Sequence, residues 1–219
     1  MLASQFIQTN YPSVNIFDKV SLALQLMDDY DVQHLPVLSE EKYIGLISKD
    51  DAFDADENSL ITSLEYQLIK ASVKAEDHFL QALKLSAEMQ LSIIPVVNDQ
   101  KELSGVISRI DLLKAVSKFV GGEEPGAMIV VEIDKRNYSF GEISRLVETN
   151  DAYITQLNTN IEPETGLIMV TIKINKQEVS DIVATFQRYD YHIRYYFGEE
   201  QYANEMKENY QNLLSYLNT

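Results

Sequence analysis

The stretch Val32–Phe53, VQHLPVLSEEKYIGLISKDDAF, has a second version at Leu91–Leu113, LSIIPVVNDQKELSGVISRIDLL. Pro36 answers Pro95 and Val37 answers Val96 at a spacing of 59. After a one-residue insertion in the second loop the spacing is 60, and Gly45 answers Gly105, Ser48 answers Ser108 and Asp51 answers Asp111. The match runs backwards through Val14 and Val73, Asp18 and Asp77, and Ala23-Leu24 and Ala82-Leu83. A unit that recurs at a fixed period buries its apolar face against its copy. Two copies imply a closed, pseudo-symmetric pair rather than an open solenoid.

In each copy an apolar stripe at helical spacing predicts a helix. The stripe is Val20, Leu24 and Met27 over Val20–Tyr30, and Phe79, Leu83 and Ala87 over Phe79–Met89. A short strand follows, Leu35–Leu38 or Ile94–Val97, then a polar loop and a second strand, Tyr43–Ile47 or Leu103–Ile107. Each second strand carries a glycine, which weakens a strand and marks close approach by another backbone or a ligand. Each copy closes on Ser-x-x-Asp, at Ser48–Asp51 and Ser108–Asp111. A serine there caps a helix, and an aspartate three residues on favours the positive end of the helix dipole. Taken alone, the motif reads as a helix start.

The pieces together, apolar-apolar-Pro-Val, Gly-apolar-Ile-Ser and Ser-x-x-Asp, twice in register, resemble a tandem cystathionine-β-synthase (CBS) domain pair, also called a Bateman module. The resemblance covers Met1–Val120. It implies two β-α-β-β-α units packed through their sheets, with two clefts for adenosine-type ligands. By that resemblance Ser48 and Asp51 serve one cleft and Ser108 and Asp111 the other, the hydroxyl on phosphate and the carboxylate on the ribose. A hydroxyl at a helix N-terminus suits an anion, and a carboxylate accepts from a vicinal diol. Base contacts are expected from backbone near His34 and Ile93, ahead of Pro36 and Pro95, and near Val14 and Val73. In the first cleft Lys49 partly offsets the charge of Asp50 beside Asp51. The second has Arg109 and no adjacent acid, which ranks Ser108–Asp111 ahead as the nucleotide site.

The 219 residues exceed one typical domain and suit two or three small ones. Cysteine is absent, which excludes disulfides, thiol catalysis and cysteine-ligated metals. The N-terminus has no basic region ahead of an apolar core, and no run approaches a membrane span, so a cytoplasmic protein is expected. The net charge of −16 divides evenly, with ten basic against eighteen acidic residues up to 120 and eight against sixteen beyond. Neither half has the basic stripe that nucleic acid needs, and an anionic membrane is opposed. Such a charge favours AMP, an uncharged adenosine derivative or cationic S-adenosylmethionine over polyphosphates unless Mg²⁺ accompanies them.

Met1–Asn10 and Leu60–Lys70 read as short helices leading into the two units. The acidic Asp54–Ser59 between them reads as a solvated connector. Gly121–Gly126, GGEEPG, is the clearest break in the chain. Beyond it, strands at Ala127–Ile133, Tyr153–Leu157, Leu167–Ile174 and Tyr191–Phe197 alternate with helices at Phe140–Thr149 and Gln177–Tyr189. The order β-α-β-β-α-β is the ferredoxin-like arrangement. Asp134, the Ser139–Gly141 turn and Asp151–Ile154 resemble an ACT domain. That resemblance implies dimerisation and amino-acid binding around Asp134, Asn137, Ser139 and Gly141, although Gly141 sits late for the usual glycine and no proline precedes it. Ser139 reads equally as a plain N-cap, with Glu142 completing a capping box. Tyr202, Met206, Tyr210, Leu213, Leu214 and Leu217 predict a helix over Glu199–Thr219.

His34, His78 and His192 fall in three different contexts, and no metalloprotease, phosphate-loop or dinucleotide fingerprint is present. No catalytic residue, metal site or required cofactor is expected. The fold expected is α+β, with CBS repeats at 1–60 and 61–120, a linker at 121–126, an ACT-like domain at 127–198 and a helix at 199–219. The arrangement resembles stand-alone regulatory proteins of the acetoin-utilisation type. It implies a non-catalytic sensor that binds AMP, ADP, ATP or S-adenosylmethionine, acts allosterically as a homodimer or higher homo-oligomer, and regulates a protein partner. The rival is an assembly module with empty clefts.

Overall fold

The structure, a computed structural model, describes residues 1–198. It divides between Phe119 and Val120 into two compact units. The helix expected over 199–219 lies outside the described residues.

In the first unit each repeat forms β-α-β-β-α. The first runs β1 (Val14–Asn15), α1 (Val20–Asp29), β2 (His34–Ser39), β3 (Lys42–Ser48) and α2 (Lys49–Phe53). The second runs β4 (Val73–Lys74), α3 (Phe79–Glu88), β5 (Ile93–Val97), β6 (Leu103–Ser108) and α4 (Arg109–Phe119). Each makes a three-stranded sheet, β1-β2-β3 or β4-β5-β6, whose short first strand is parallel and whose hairpin is antiparallel. Both hairpins slip register at the same place, after Val37 and after Val96. One apolar core joins the repeats, with Phe79, Met27, Leu35, Leu46, Ile94 and Ile107 fully buried. The buried stripes are Val20, Ala23, Met27 and Phe79, Ala82, Ser86, while Leu24 and Leu83 are half-buried and Ala87 is exposed. The leading segments are single 3-10 stretches, Ala3–Phe6 and Ile61–Gln67, rather than α-helices.

These leading segments cross over. Gln8 exchanges backbone hydrogen bonds with Val106 of the second repeat, at 2.8 and 3.0 Å. Ile69 does the same with Leu46 of the first, at 2.9 Å both ways. The glycines mark the crossings. A Cβ on Gly105 would meet Gln8 O at 2.6 Å, and one on Gly45 would meet Leu68 Cβ at 2.8 Å. Their φ angles, 144° and 154°, are ones that side-chain-bearing residues rarely adopt. Close backbone approach therefore accounts for both.

The second unit has β7 (Met128–Ile133), α5 (Phe140–Glu148), β8 (Ile154–Ile161), β9 (Ile168–Ile174), α6 (Ser180–Arg188) and β10 (His192–Phe197). The antiparallel sheet runs β10-β7-β9-β8, the ferredoxin-like order. Ile143, Leu146, Ile182 and Phe186 of the helices pack on Ile129, Val131, Val170 and Ile172. Ahead of β7, the Lys173 ammonium donates to Glu124 O at 2.8 Å and to Gly121 O, which ties the glycine-rich segment to β9.

Candidate functional site

The two Ser-x-x-Asp motifs fold alike. The Ser48 hydroxyl accepts from Asp51 N at 3.1 Å and donates to Asp51 Oδ2 at 2.5 Å. Ser108 accepts from Asp111 N at 3.1 Å and donates to Asp111 Oδ2 at 2.6 Å. Each hydroxyl is thus a helix N-cap, as the motif alone predicts, and fixes one oxygen of its carboxylate. Main-chain bonds, Lys49 N to Gln33 O at 2.8 Å and Arg109 N to Ser92 O at 3.0 Å, tie each motif to the start of its own hairpin.

The internal two-fold breaks at His34, which answers Ile93. Ser92 N donates to His34 Nδ1 at 3.3 Å, and the Ser92 hydroxyl lies 3.1 Å from the same nitrogen. With Nδ1 accepting, the neutral ring carries its proton on Nε2. Burial pushes the imidazole below its ordinary pKa, and the nearby Arg109 charge adds to the shift, against a smaller opposite pull from Asp50 and Asp51. His34 is therefore neutral at physiological pH.

His34, Ser48, Lys49 and Asp50 line a cavity of about 730 Å³ together with Arg109 of the second repeat. Its apolar wall comes from α3, through Leu83, Ala87 and Met89. Arg109 is oriented by hydrogen bonds from Nη2 to Gln90 O at 2.9 Å and Leu91 O at 3.1 Å. Lys49 Nζ is 2.5 Å from Asp28 Oδ1. Lys49 is thus neutralised by Asp28 and Asp50 shares the lining, which leaves Arg109 as the lining cation with no carboxylate within 4.0 Å among the described residues. Arg109 beside the α3 wall sets a cationic group next to an apolar surface.

The expected site residues distribute unevenly. His34, Ser48, Lys49 and Arg109 share this cavity, whereas Asp51, Ser108 and Asp111 do not line it. Val14, Val73, Ile93, Pro36 and Pro95 are buried, so only their main chain could meet a ligand. Sequence reasoning missed the α3 wall and assigned Arg109 to its own repeat. The available signal was the alignment of Lys49 with Arg109, because a two-fold between repeats brings equivalent positions together.

In the second unit Asp134, Asn137 and Ser139 line a cavity of about 520 Å³ with Glu132, Arg136 and Tyr191. Gly141 is not among its lining residues and has open space around it. Ser139 caps α5, accepting from Glu142 N at 3.3 Å. Arg136 N donates to the Asp134 carboxylate at 2.9 Å, and that bond holds the carboxyl below its ordinary pKa. The Tyr191 hydroxyl is buried beside the Glu142 carboxylate. Burial, with the negative charge of Glu142, pushes its pKa up to about 12. Among the described residues no group of three or more His, Asp or Glu side chains is placed to hold a metal, and no helix is long and apolar enough to cross a membrane.

Residues 3–58 and 69–118 match the CBS domain family. An inosine-5'-monophosphate dehydrogenase of Korarchaeum cryptofilum is 27% identical over 129 residues, 58% of this chain and 27% of that protein. The enzyme of the same name from Methanocaldococcus jannaschii is 26% identical over 115 residues, 51% of this chain and 23% of that protein. The chain spans about a quarter of the length of these relatives. Among solved structures, a CBS domain pair/ACT domain protein from Thermotoga maritima is 25% identical with a TM-score of 0.50, covering 55% of this chain and 99% of that one. The first unit of this chain is accordingly a tandem pair of CBS domains.

Proposed function

We propose that the chain is a regulatory sensor whose CBS pair binds an adenosine-type ligand and shifts the state of a homo-oligomer and its hold on a protein partner. One observation carries the reading. The first repeat's Ser48, Lys49 and His34 and the second repeat's Arg109 line a single cavity with an apolar wall. A ligand seated there touches both repeats, so its binding energy can favour one arrangement of the pair over another. The donor set, an imidazole N–H, an ammonium and a guanidinium, supports a phosphate-bearing adenosine over cationic S-adenosylmethionine, whatever the overall charge of the chain. Arg109, held through Nη2 by Gln90 O and Leu91 O, keeps its other N–H groups for phosphate.

Thermal unfolding with AMP, ADP, ATP plus Mg²⁺ and S-adenosylmethionine tests this. A ligand at a hundred times its dissociation constant stabilises by about 2.7 kcal/mol, a shift of several degrees. Arg109→Gln should weaken the phosphate-bearing ligands at least about tenfold, and Asp111→Ala should remove nucleotide affinity if the ribose sits at the second motif. Unchanged melting with all four ligands refutes the sensor.

Exposed Phe53, Ile110 and Leu113 on α2 and α4 favour a second reading, an assembly module. Self-association without any ligand effect would establish it. The second unit's cavity sets Arg136, paired with Asp134, among the further carboxylates of Glu132, Glu142 and Asp190, a rim that offers an amino acid's ammonium more partners than its carboxylate. The same thermal screen run with amino acids tests an ACT-type role.

A further inference from the structure

The duplication also duplicated a concavity, and the copies have diverged in charge. At the hairpin end of the CBS pair, a cavity of about 670 Å³ has an apolar floor of Tyr43, Ile44 and Val97. Its counterpart, about 340 Å³, is built from Tyr11, Ser13, Leu38 and Leu103. The correspondence follows the repeat, Ser72 for Ser13, Val97 for Leu38 and Ile44 for Ser104. The rims invert. Lys101 stands where the first repeat has Glu41, and Lys42 where the second has Glu102. Lys70 and Lys74 complete a rim of four ammonium groups against Glu65 and Asp99, while the smaller cavity has two carboxylates and no basic residue.

Two of the four lysines are already engaged. Lys74 Nζ lies 2.6 Å from Asp99 Oδ1, and Lys70 Nζ donates to Ile44 O. Lys42 and Lys101 have no carboxylate within 4.0 Å among the described residues. The floor is fixed, because Tyr43 is buried and its hydroxyl donates to Ala71 O at 2.6 Å. Since the same backbone carries an acidic rim in the other copy, the fold does not impose the cationic one. Like charges placed together over a rigid apolar floor repel one another until an anion joins them.

We propose that this cavity binds a small organic anion, a carboxylate, sulfonate or phosphate monoester attached to an aromatic or short aliphatic body. The anion would lie between Lys42 and Lys101 and the apolar body against Tyr43 and Val97. It is a second ligand site, separate from the cavity lined by Ser48 and Arg109.

Calorimetric titration of the full chain with phenyl phosphate tests this, with benzylamine and inorganic phosphate as comparison probes. Phenyl phosphate should bind one site per chain, inorganic phosphate more weakly, and benzylamine not at all. The Lys42→Glu/Lys101→Glu double variant, with unchanged melting, should lose affinity about tenfold, as expected for two exposed ion pairs. Glu41→Gln/Glu102→Gln should leave it within about twofold on the same grounds. Retained affinity in the lysine variant overturns the proposal, as does equal binding of benzylamine. Loss of phenyl phosphate in Arg109→Gln would place the anion in the other cavity and overturn it too. None of these outcomes depends on whether an adenosine ligand binds.

Discussion

At position 34 the first repeat carries an imidazole where the second carries Ile93, and the ring accepts a hydrogen bond from Ser92 N at 3.3 Å. The fold depresses the pKa of this group below 6.5, through burial first and Arg109 second. The unfolded chain therefore binds a proton there that the native one resists, so stability rises with pH across this titration. His34 contributes fully above about pH 6.5, and its contribution is lost progressively as the pH falls below that value. Denaturant unfolding at several pH values should show stability falling more steeply toward acid in the natural chain than in His34→Gln. Parallel curves for the two proteins would show that the ring does not resist protonation. Protonation would also cost Nδ1 its acceptor role toward Ser92, a bond between the repeats beside the cavity lined by Ser48 and Arg109. This pairing was illegible in the sequence. Alignment of the repeats shows that position 34 differs, but not that Ser92 supplies its partner across the two-fold.

Among elements, the leading segments and the hairpins they cross explain the glycines of both second strands, Gly45 and Gly105, without any ligand. Gly105→Ala would press a methyl group into Gln8 O and hold an alanine at φ 144°. Backbone strain of that kind costs about 1–3 kcal/mol, before any loss at the crossing itself. Gly141 in α5 has open space around it and a helical backbone. Gly141→Ala should stabilise the second unit by about 0.5–1 kcal/mol. Chemical denaturation of the two variants checks both signs, and a neutral Gly105→Ala would mean the crossing is loose. In the CBS pair α1, α3 and the hairpin strands were legible to within a residue or two, because Val20, Phe79 and their stripes keep helical spacing and Leu35–Leu38 and Ile94–Val97 are short and β-rich. In the second unit, by contrast, β8 runs four residues past the expected Leu157 and α6 starts three after the expected Gln177. The crossings were not. Ile7-Gln8 and Leu68-Ile69 carry only one or two apolar residues each, and what fixes them is a backbone partner far away in sequence. The same is true of the 3-10 stretches, where apolar residues such as Ala3, Ile61 and Leu64 read as α-helix but anchor short 3-10 segments.

For the molecule as a whole, two units carry three sheets, two in the first and one in the second, and each unit holds its own core. The CBS pair behaves as one body because its halves share a core and exchange their leading segments. A chain ending after residue 119 should therefore unfold in one cooperative transition, whereas residues 1–59 alone should not fold as a monomer. Circular dichroism and sedimentation of the two fragments check this. A stably folded, monomeric 1–59 would show that the exchange is dispensable.

That exchange has a corollary for the orphaned half. Gln8 and Ile69 occupy matching places ahead of their repeats, and each grips the neighbouring copy's hairpin. A solitary first repeat keeps both the hook and the eye, so it should find its missing mate in another molecule of itself. The present single chain then has the look of an old symmetric dimer whose protomers were fused, after which each side was free to acquire its own charges and its own guest.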